Sequence, residues 1–235
     1  MTPVLPKLTL PKFKLTLPSS GKKVSFRPFI VKEEKILLMA LESEDLPQVI
    51  IALKDIITEC TYGKLDPNEL PICDLCYIFL NLRAKSVGET SEPSLSCRFC
   101  ETENIVEIDL TKIGVTKTEG HSNKIILEDD KGMIMKYPTL GMDNLATSNI
   151  ANDTTFEVIV ECIDSIYDGD SVYKAKEYKK EELIEFVENL SHKQFEKVLT
   201  FFSTMPQLNH EVKFKCSKCN KQNKMVLGGI RDFFL

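Results

Sequence analysis

The sequence predicts an α+β fold: a helical core with antiparallel β segments and a zinc-ribbon-like element formed by two C-x-x-C knuckles. Three observations predict it. Apolar residues recur at helical spacing in two blocks, from about residue 31 to 86 and again from 154 to 205. Short alternating runs fill the intervals after each block. Two cysteine pairs, CRFC and CSKC, lie in the strand-rich stretches rather than on a helical face.

The elements follow in order. Residues 1–20 read as an extended arm, because KLTLP occurs twice, at 7–11 and 14–18, among Pro3, Pro6, Pro11 and Pro18. Proline at that density excludes helix, and Leu/Thr alternation favours extended chain. The arm either folds onto its own domain or adds to the sheet edge of a partner. Residues 21–235 read as a single α+β domain, with β and knuckle segments at 87–140 and 206–235. GKKVSFRPF is a turn and a short strand. VKEEKILLMALES is a helix with Ile36, Leu37, Ala40 and Leu41 on one face, opposite Glu33 and Glu34. Asp45 with Gln48 three residues on predicts the N-cap of a second helix running to about Cys60. ICDLCYIFLNLRAKSVG predicts a third. NIVEIDL, NKIILED and GMIMKYP then read as strands. FEVIVECIDSIYD predicts one helix and KKEELIEFVENL another, and SHKQFEKVLTFFSTM opens on the capping pair Ser191 and Gln194 and stops at Pro206. HEVKFKC and KMVL form a hairpin around the last cysteine pair.

Composition narrows the function. With 30 Lys+Arg against 35 Asp+Glu the net charge is −5, which argues against sequence-independent nucleic-acid binding. No apolar run is long enough to span a bilayer or to serve as a signal peptide, so no membrane partner is expected and the chain reads as cytosolic. Eight cysteines in that setting read as thiols or metal ligands rather than disulfides.

Cys97-Arg-Phe-Cys100 and Cys216-Ser-Lys-Cys219 each follow a strand-like run and precede polar residues and another strand. That is how a metal-binding knuckle is built. A tight turn aims two thiolates at one point, and two such turns supply the four sulfurs that tetrahedral Zn²⁺ takes in closed, structural sites. Against this stands the 115-residue gap between Cys100 and Cys216, far longer than in compact zinc ribbons. Cys73-Asp-Leu-Cys76 is a third pair, only 20 residues before Cys97, but it lies in an apolar helical run and reads as core, as do Cys60 and Cys162. FFL at 233–235 reads as docked on the chain's own core or anchored in a partner. His121, His192 and His210 are isolated, with His210 a possible substitute ligand near Cys216. No nucleophile elbow, phosphate loop or HExxH is present, and nothing argues for an enzyme. A thiol redox role is disfavoured because neither knuckle opens a helix in a βαβ setting.

RPFIVKEEKILLMALESED at 27–45 resembles the baseplate hub assembly proteins of T-even-like contractile-tailed bacteriophages. LPSSGKKVSFRPF, YIFLNLRAKSVGE at 77–89, MKYPTL at 135–140, FFSTMPQLNHEVKFKC at 201–216 and GGIRDFFL extend the resemblance over most of the chain. It implies a late, non-enzymatic hub subunit or assembly factor, working by protein–protein contact in the host cytoplasm during assembly, with the virion tail baseplate a second expected location. The implied partners are baseplate hub or tail proteins, with self-association a further expectation. It carries no catalytic residues, and the Zn²⁺ site at Cys97, Cys100, Cys216 and Cys219 rests on spacing and context alone. The alternative is a zinc-ribbon nucleic-acid-binding or transcription-modulating protein, supported by Lys213, Lys215, Lys218, Lys221 and Lys224 around the second knuckle. Lysines beside a strand also serve simply to keep its edge soluble.

Overall fold

The computed structural model describes residues 8–43, 45–142 and 156–228. Among them are six α-helices: α1 Val31–Glu42, α2 Leu46–Cys60, α3 Ile72–Ser86, α4 Phe156–Glu161, α5 Lys180–Glu188 and α6 His192–Thr204. Helices and antiparallel strand pairs are mixed, as the sequence predicts. The chain divides into two compact units, and their described residues fall within 8–66, 76–114 and 208–228 for the first and 67–75 and 115–207 for the second.

In the first unit the second KLTLP copy supplies a strand. Phe13–Thr16 pairs with Lys23–Phe26, and the Phe13 and Phe26 rings lie 5.6 Å apart. The two copies share a sequence but not an environment. Leu15 and Leu17 are buried, whereas Leu8 and Leu10 of the first copy are 89% and 42% exposed. Residues 1–7 of the expected arm, and Phe233–Leu235, lie outside the described residues.

α1 and α2 pack on each other, and the predicted α1 face needs correcting. Leu37 and Ala40 are buried, but Ile36 is 43% exposed and Glu33 is buried. Arg27 explains the inversion. Its guanidinium donates to both Glu33 oxygens, at 2.9 and 2.6 Å. The Ile30 N–H at the start of α1 donates to Glu33 Oε2 at 2.8 Å. Burial alone would raise the Glu33 carboxyl, and these donors together hold it below its ordinary value. The RPF-x-VKEEK stretch is thus a structural clasp. Asp45 stands at the N-cap of α2 but caps no backbone N–H; its carboxylate accepts from Gln48 Nε2 at 2.7 Å instead.

Two hairpins complete this unit. Ser94–Ser96 pairs with Glu103–Ile105, and His210–Lys215 with Gln222–Leu227. Period-two alternation turns Val212 and Phe214 inward and leaves Glu211, Lys213 and Lys215 in water.

The second unit holds a four-stranded sheet in the order Ser171–Lys174, Ile163–Asp168, Lys131–Met135, Lys124–Glu128. Met133, Met135, Ile159, Ile163, Val198 and Phe201 are central to its core. Gly132 is required where it stands, since a Cβ there would lie 2.1 Å from the Ile125 carbonyl oxygen and 2.2 Å from the Tyr167 hydroxyl. The Ser191 cap is formed as expected, accepting from the Gln194 N–H at 3.4 Å. The single helix expected over FEVIVECIDSIYD is instead a helix and a strand. α4 closes where the Cys162 N–H reaches the Val158 and Ile159 carbonyls, and Ile163–Asp168 continues as an inner strand of the sheet. Short β-branched apolar runs fit either period, and here pairing on both edges decides for the strand.

Candidate metal centre

Each of the two hairpins of the first unit turns at a cysteine pair, and the turns are built alike. The Cys97 N–H donates to the Thr102 carbonyl at 2.9 Å and the Cys216 N–H to the Lys221 carbonyl at 3.0 Å. The Glu101 N–H returns to the Cys97 carbonyl at 2.9 Å, and the Asn220 N–H to the Cys216 carbonyl at 3.1 Å. Glu101 and Asn220 both take the left-handed conformation, with φ of 58°. Such a residue curls the chain tightly enough to point successive N–H groups inward.

The four sulfurs meet. Cys97 Sγ lies 3.6 Å from Cys219 Sγ, and Cys100 Sγ lies 3.6 Å from Cys216 Sγ. All four ligand atoms fall within 4.8 Å of one another. These separations are far beyond a disulfide bond of about 2.05 Å, and the cysteines are free thiols. A tetrahedral four-thiolate ion with bonds of about 2.3 Å holds its sulfurs about 3.8 Å apart, so the cluster is compatible with a metal site. Cys97 and Cys216 are buried, and Cys100 and Cys219 are half-buried.

Backbone amides face the sulfurs. The Phe99 N–H reaches Cys97 Sγ at 3.5 Å, and the Lys218 and Cys219 N–H groups reach Cys216 Sγ at 3.4 and 3.5 Å. Burial opposes ionisation of Cys97, but the Phe99 and Cys100 amides, the Asn223 side chain and Cys219 bring its thiol down to about 6. For Cys216 the Cys219 amide is the largest influence, and the thiol is lowered despite burial. Cys219 is driven the other way. The Lys221 amide favours its thiolate, yet burial and the three neighbouring sulfurs push it up to about 11. Without a cation Cys219 therefore keeps its proton at neutral pH.

The remaining predicted candidates lie elsewhere. Cys73 and Cys76 are buried in α3, and Cys60 and Cys162 are fully buried. Burial pushes the Cys60, Cys73 and Cys162 thiols up to about 12. His210 begins a strand and is not in the sulfur cluster; His192 is exposed, 3.4 Å from Glu196. His121 bridges Thr204 Oγ1 at 2.9 Å and Tyr137 OH at 3.0 Å. Of the five lysines, Lys213 and Lys224 pair with Glu211, and Lys221 sits 4.6 Å over the Phe99 ring. Asn104 and Asn223, which sequence reasoning missed, are buried between the knuckles. The signal was present as a shared frame, C-x-x-C-x-x-x-N, in CRFCETEN and CSKCNKQN.

Fold and centre define a mixed helical and antiparallel-sheet protein in which two hairpins, distant in sequence, converge on a four-thiol cluster. The chain belongs to the family described as T4 bacteriophage base plate protein, whose model matches residues 10–235. It is also similar to the baseplate hub assembly protein gp26 of Enterobacteria phage T4. The two are 24% identical over 225 residues, which cover 95% of this chain and 98% of the relative. This homology supports a baseplate role. No solved structure matches the chain.

Proposed function

We propose that the chain acts in building the baseplate hub through protein–protein contact, without catalysis, and that Cys97, Cys100, Cys216 and Cys219 hold one structural Zn²⁺. The observation that carries the assembly role is near full-length similarity to a relative named for hub assembly. Its partners are then baseplate hub or tail proteins, met in the host cytoplasm during assembly. Exposed residues 8–11, within the first KLTLP copy, are a contact segment available for that purpose.

Zinc is the ion that the donor set fits. Four thiolates favour a soft, tetrahedral cation, and a closed four-sulfur shell leaves no position for water or substrate. Such an ion fastens a zinc-ribbon-like element, joining hairpins whose cysteines lie 116 and 122 residues apart. In this reading all four sulfurs are thiolates, and binding releases the proton still held at Cys219.

The nucleic-acid alternative loses support from the engagement of Lys213, Lys221 and Lys224 within the chain. A tagged chain recovered from infected cells separates the readings. Hub or tail proteins retained after nuclease treatment support assembly by contact. Association that nuclease abolishes selects the alternative.

A further inference from the structure

The two knuckles repeat one frame 119 residues apart, from Cys97 to Cys216 and from Asn104 to Asn223. Each asparagine is anchored on its own hairpin and reaches across to the other. Asn223 Nδ2 donates to the Lys221 carbonyl at 3.2 Å and to Cys97 Sγ at 3.3 Å, while Asn223 Oδ1 accepts the Arg98 N–H at 3.0 Å. Asn104 Nδ2 donates to the Thr102 carbonyl at 2.7 Å and lies 3.9 Å from Cys216 Sγ, while Asn104 Oδ1 accepts the Ser217 N–H at 2.8 Å. The neighbours fix both amide orientations: a backbone N–H can meet only the oxygen, and a carbonyl only the nitrogen. Asn104 is 8% and Asn223 3% exposed, so water offers little substitute for these partners.

We infer that Asn104 and Asn223 are reciprocal positioning residues for the metal. They cross-brace the two turns, hold the four sulfurs near binding separation before the ion arrives, and direct an N–H donor at the inner sulfur of the opposite turn. The inference rests on the metal reading proposed above and assigns a role to side chains that are not themselves ligands. Its physical basis is that the two hairpins are far apart in sequence. Each Asn joins the hairpins at two points on the opposite turn, one at the backbone and one at the sulfur. Outer-shell partners of this kind typically affect metal affinity by about 10–100-fold.

Cobalt(II) titration of the full chain, read by thiolate-to-cobalt absorption, together with zinc competition against a chelator, tests this. Asn104→Ala and Asn223→Ala are each expected to weaken metal binding by about 10–100-fold. Asn223→Asp keeps an acceptor for the Arg98 N–H but sets a carboxylate oxygen against Cys97, and is expected to bind more weakly than Asn223→Ala. Asn189→Ala, at the exposed end of α5, is the control and leaves affinity unchanged. If an alanine variant loses its helical signal, the aspartate variants at the same positions carry the test, since they preserve size and the cross-hairpin acceptor. Folded variants that bind within twofold of wild type overturn the inference alone. Asn223→Asp binding like wild type overturns the donor-to-sulfur part. A wild-type chain with no thiolate-to-cobalt band overturns the metal reading, and the inference with it.

Discussion

Cys73-Asp-Leu-Cys76 and Cys97-Arg-Phe-Cys100 have the same spacing and opposite chemistry. The first pair sits in the opening turn of α3, where both thiols are buried and burial pushes Cys73 up to about 12. Its sulfur also lies 3.9 Å from Asp74 Oδ1, an acceptor that keeps the proton in place. The second pair turns a hairpin, where amides and the Asn223 side chain point at the sulfur and Cys97 falls to about 6. Both Cys73 and Cys97 are buried. What separates them is the balance around each sulfur: at Cys73 burial and the Asp74 carboxylate outweigh the Cys73 and Asp74 amides, whereas at Cys97 burial is outweighed by the Phe99 and Cys100 amides, joined by the Asn223 side chain and Cys219. Spacing nominates a ligand pair, and the groups around it decide.

The largest expected effect follows from that contrast. Stripping the metal should loosen the two hairpins while leaving α3 and the sheet of the second unit folded, because structural zinc contributes about 10–16 kcal/mol in small peptides. Amide exchange should rise across 94–105 and 210–227 on chelation; an unchanged pattern there would remove the metal from any structural role. Next come the core thiols. Cys60→Ser and Cys162→Ser put a hydroxyl at fully buried sites, and each should cost about 1–3 kcal/mol in denaturant unfolding without changing metal content.

The two classes should also diverge with pH in the metal-free chain. Cys97 has a folded value near 6, below the ordinary thiol value, so its contribution is present above that ordinary value and is lost as pH falls through 6. Cys60, Cys73 and Cys162 have folded values near 12, so theirs is present below the ordinary value and lost as pH rises toward 12. Unfolding scans of Cys97→Ser should therefore flatten the pH dependence between about 6 and the ordinary thiol value, and leave the more alkaline range alone. The smallest effect is expected at the rim. Lys221→Ala removes a cation over the Phe99 ring and should cost about 0.5–1 kcal/mol with metal content unchanged.

Much of this contrast was legible in the sequence. The strand-like flanks of CRFC and CSKC, against the apolar period around CDLC, separate the pairs before any geometry is known. The Ser191 cap and most helix spans were equally plain. Other features were not. Glu33 looked solvent-facing because its partner Arg27 lies before the helix, and Ile36 looked buried for the same lack of tertiary context. FEVIVECIDSIYD carried enough β-branched residues for either period, and only pairing on both edges made its second half a strand. Asn104 and Asn223 escaped notice because an asparagine near a knuckle is ordinary until the two frames are aligned.

Metal content of purified wild type, Cys216→Ser and Cys73→Ser, measured side by side, separates the two cysteine pairs. About one zinc per chain is expected in wild type and in Cys73→Ser, and none in Cys216→Ser, with most helical signal kept in all three. A metal-free wild type of full stability would rule out a structural metal, and zinc that survives Cys216→Ser and disappears on Cys73→Ser would place it on the wrong pair.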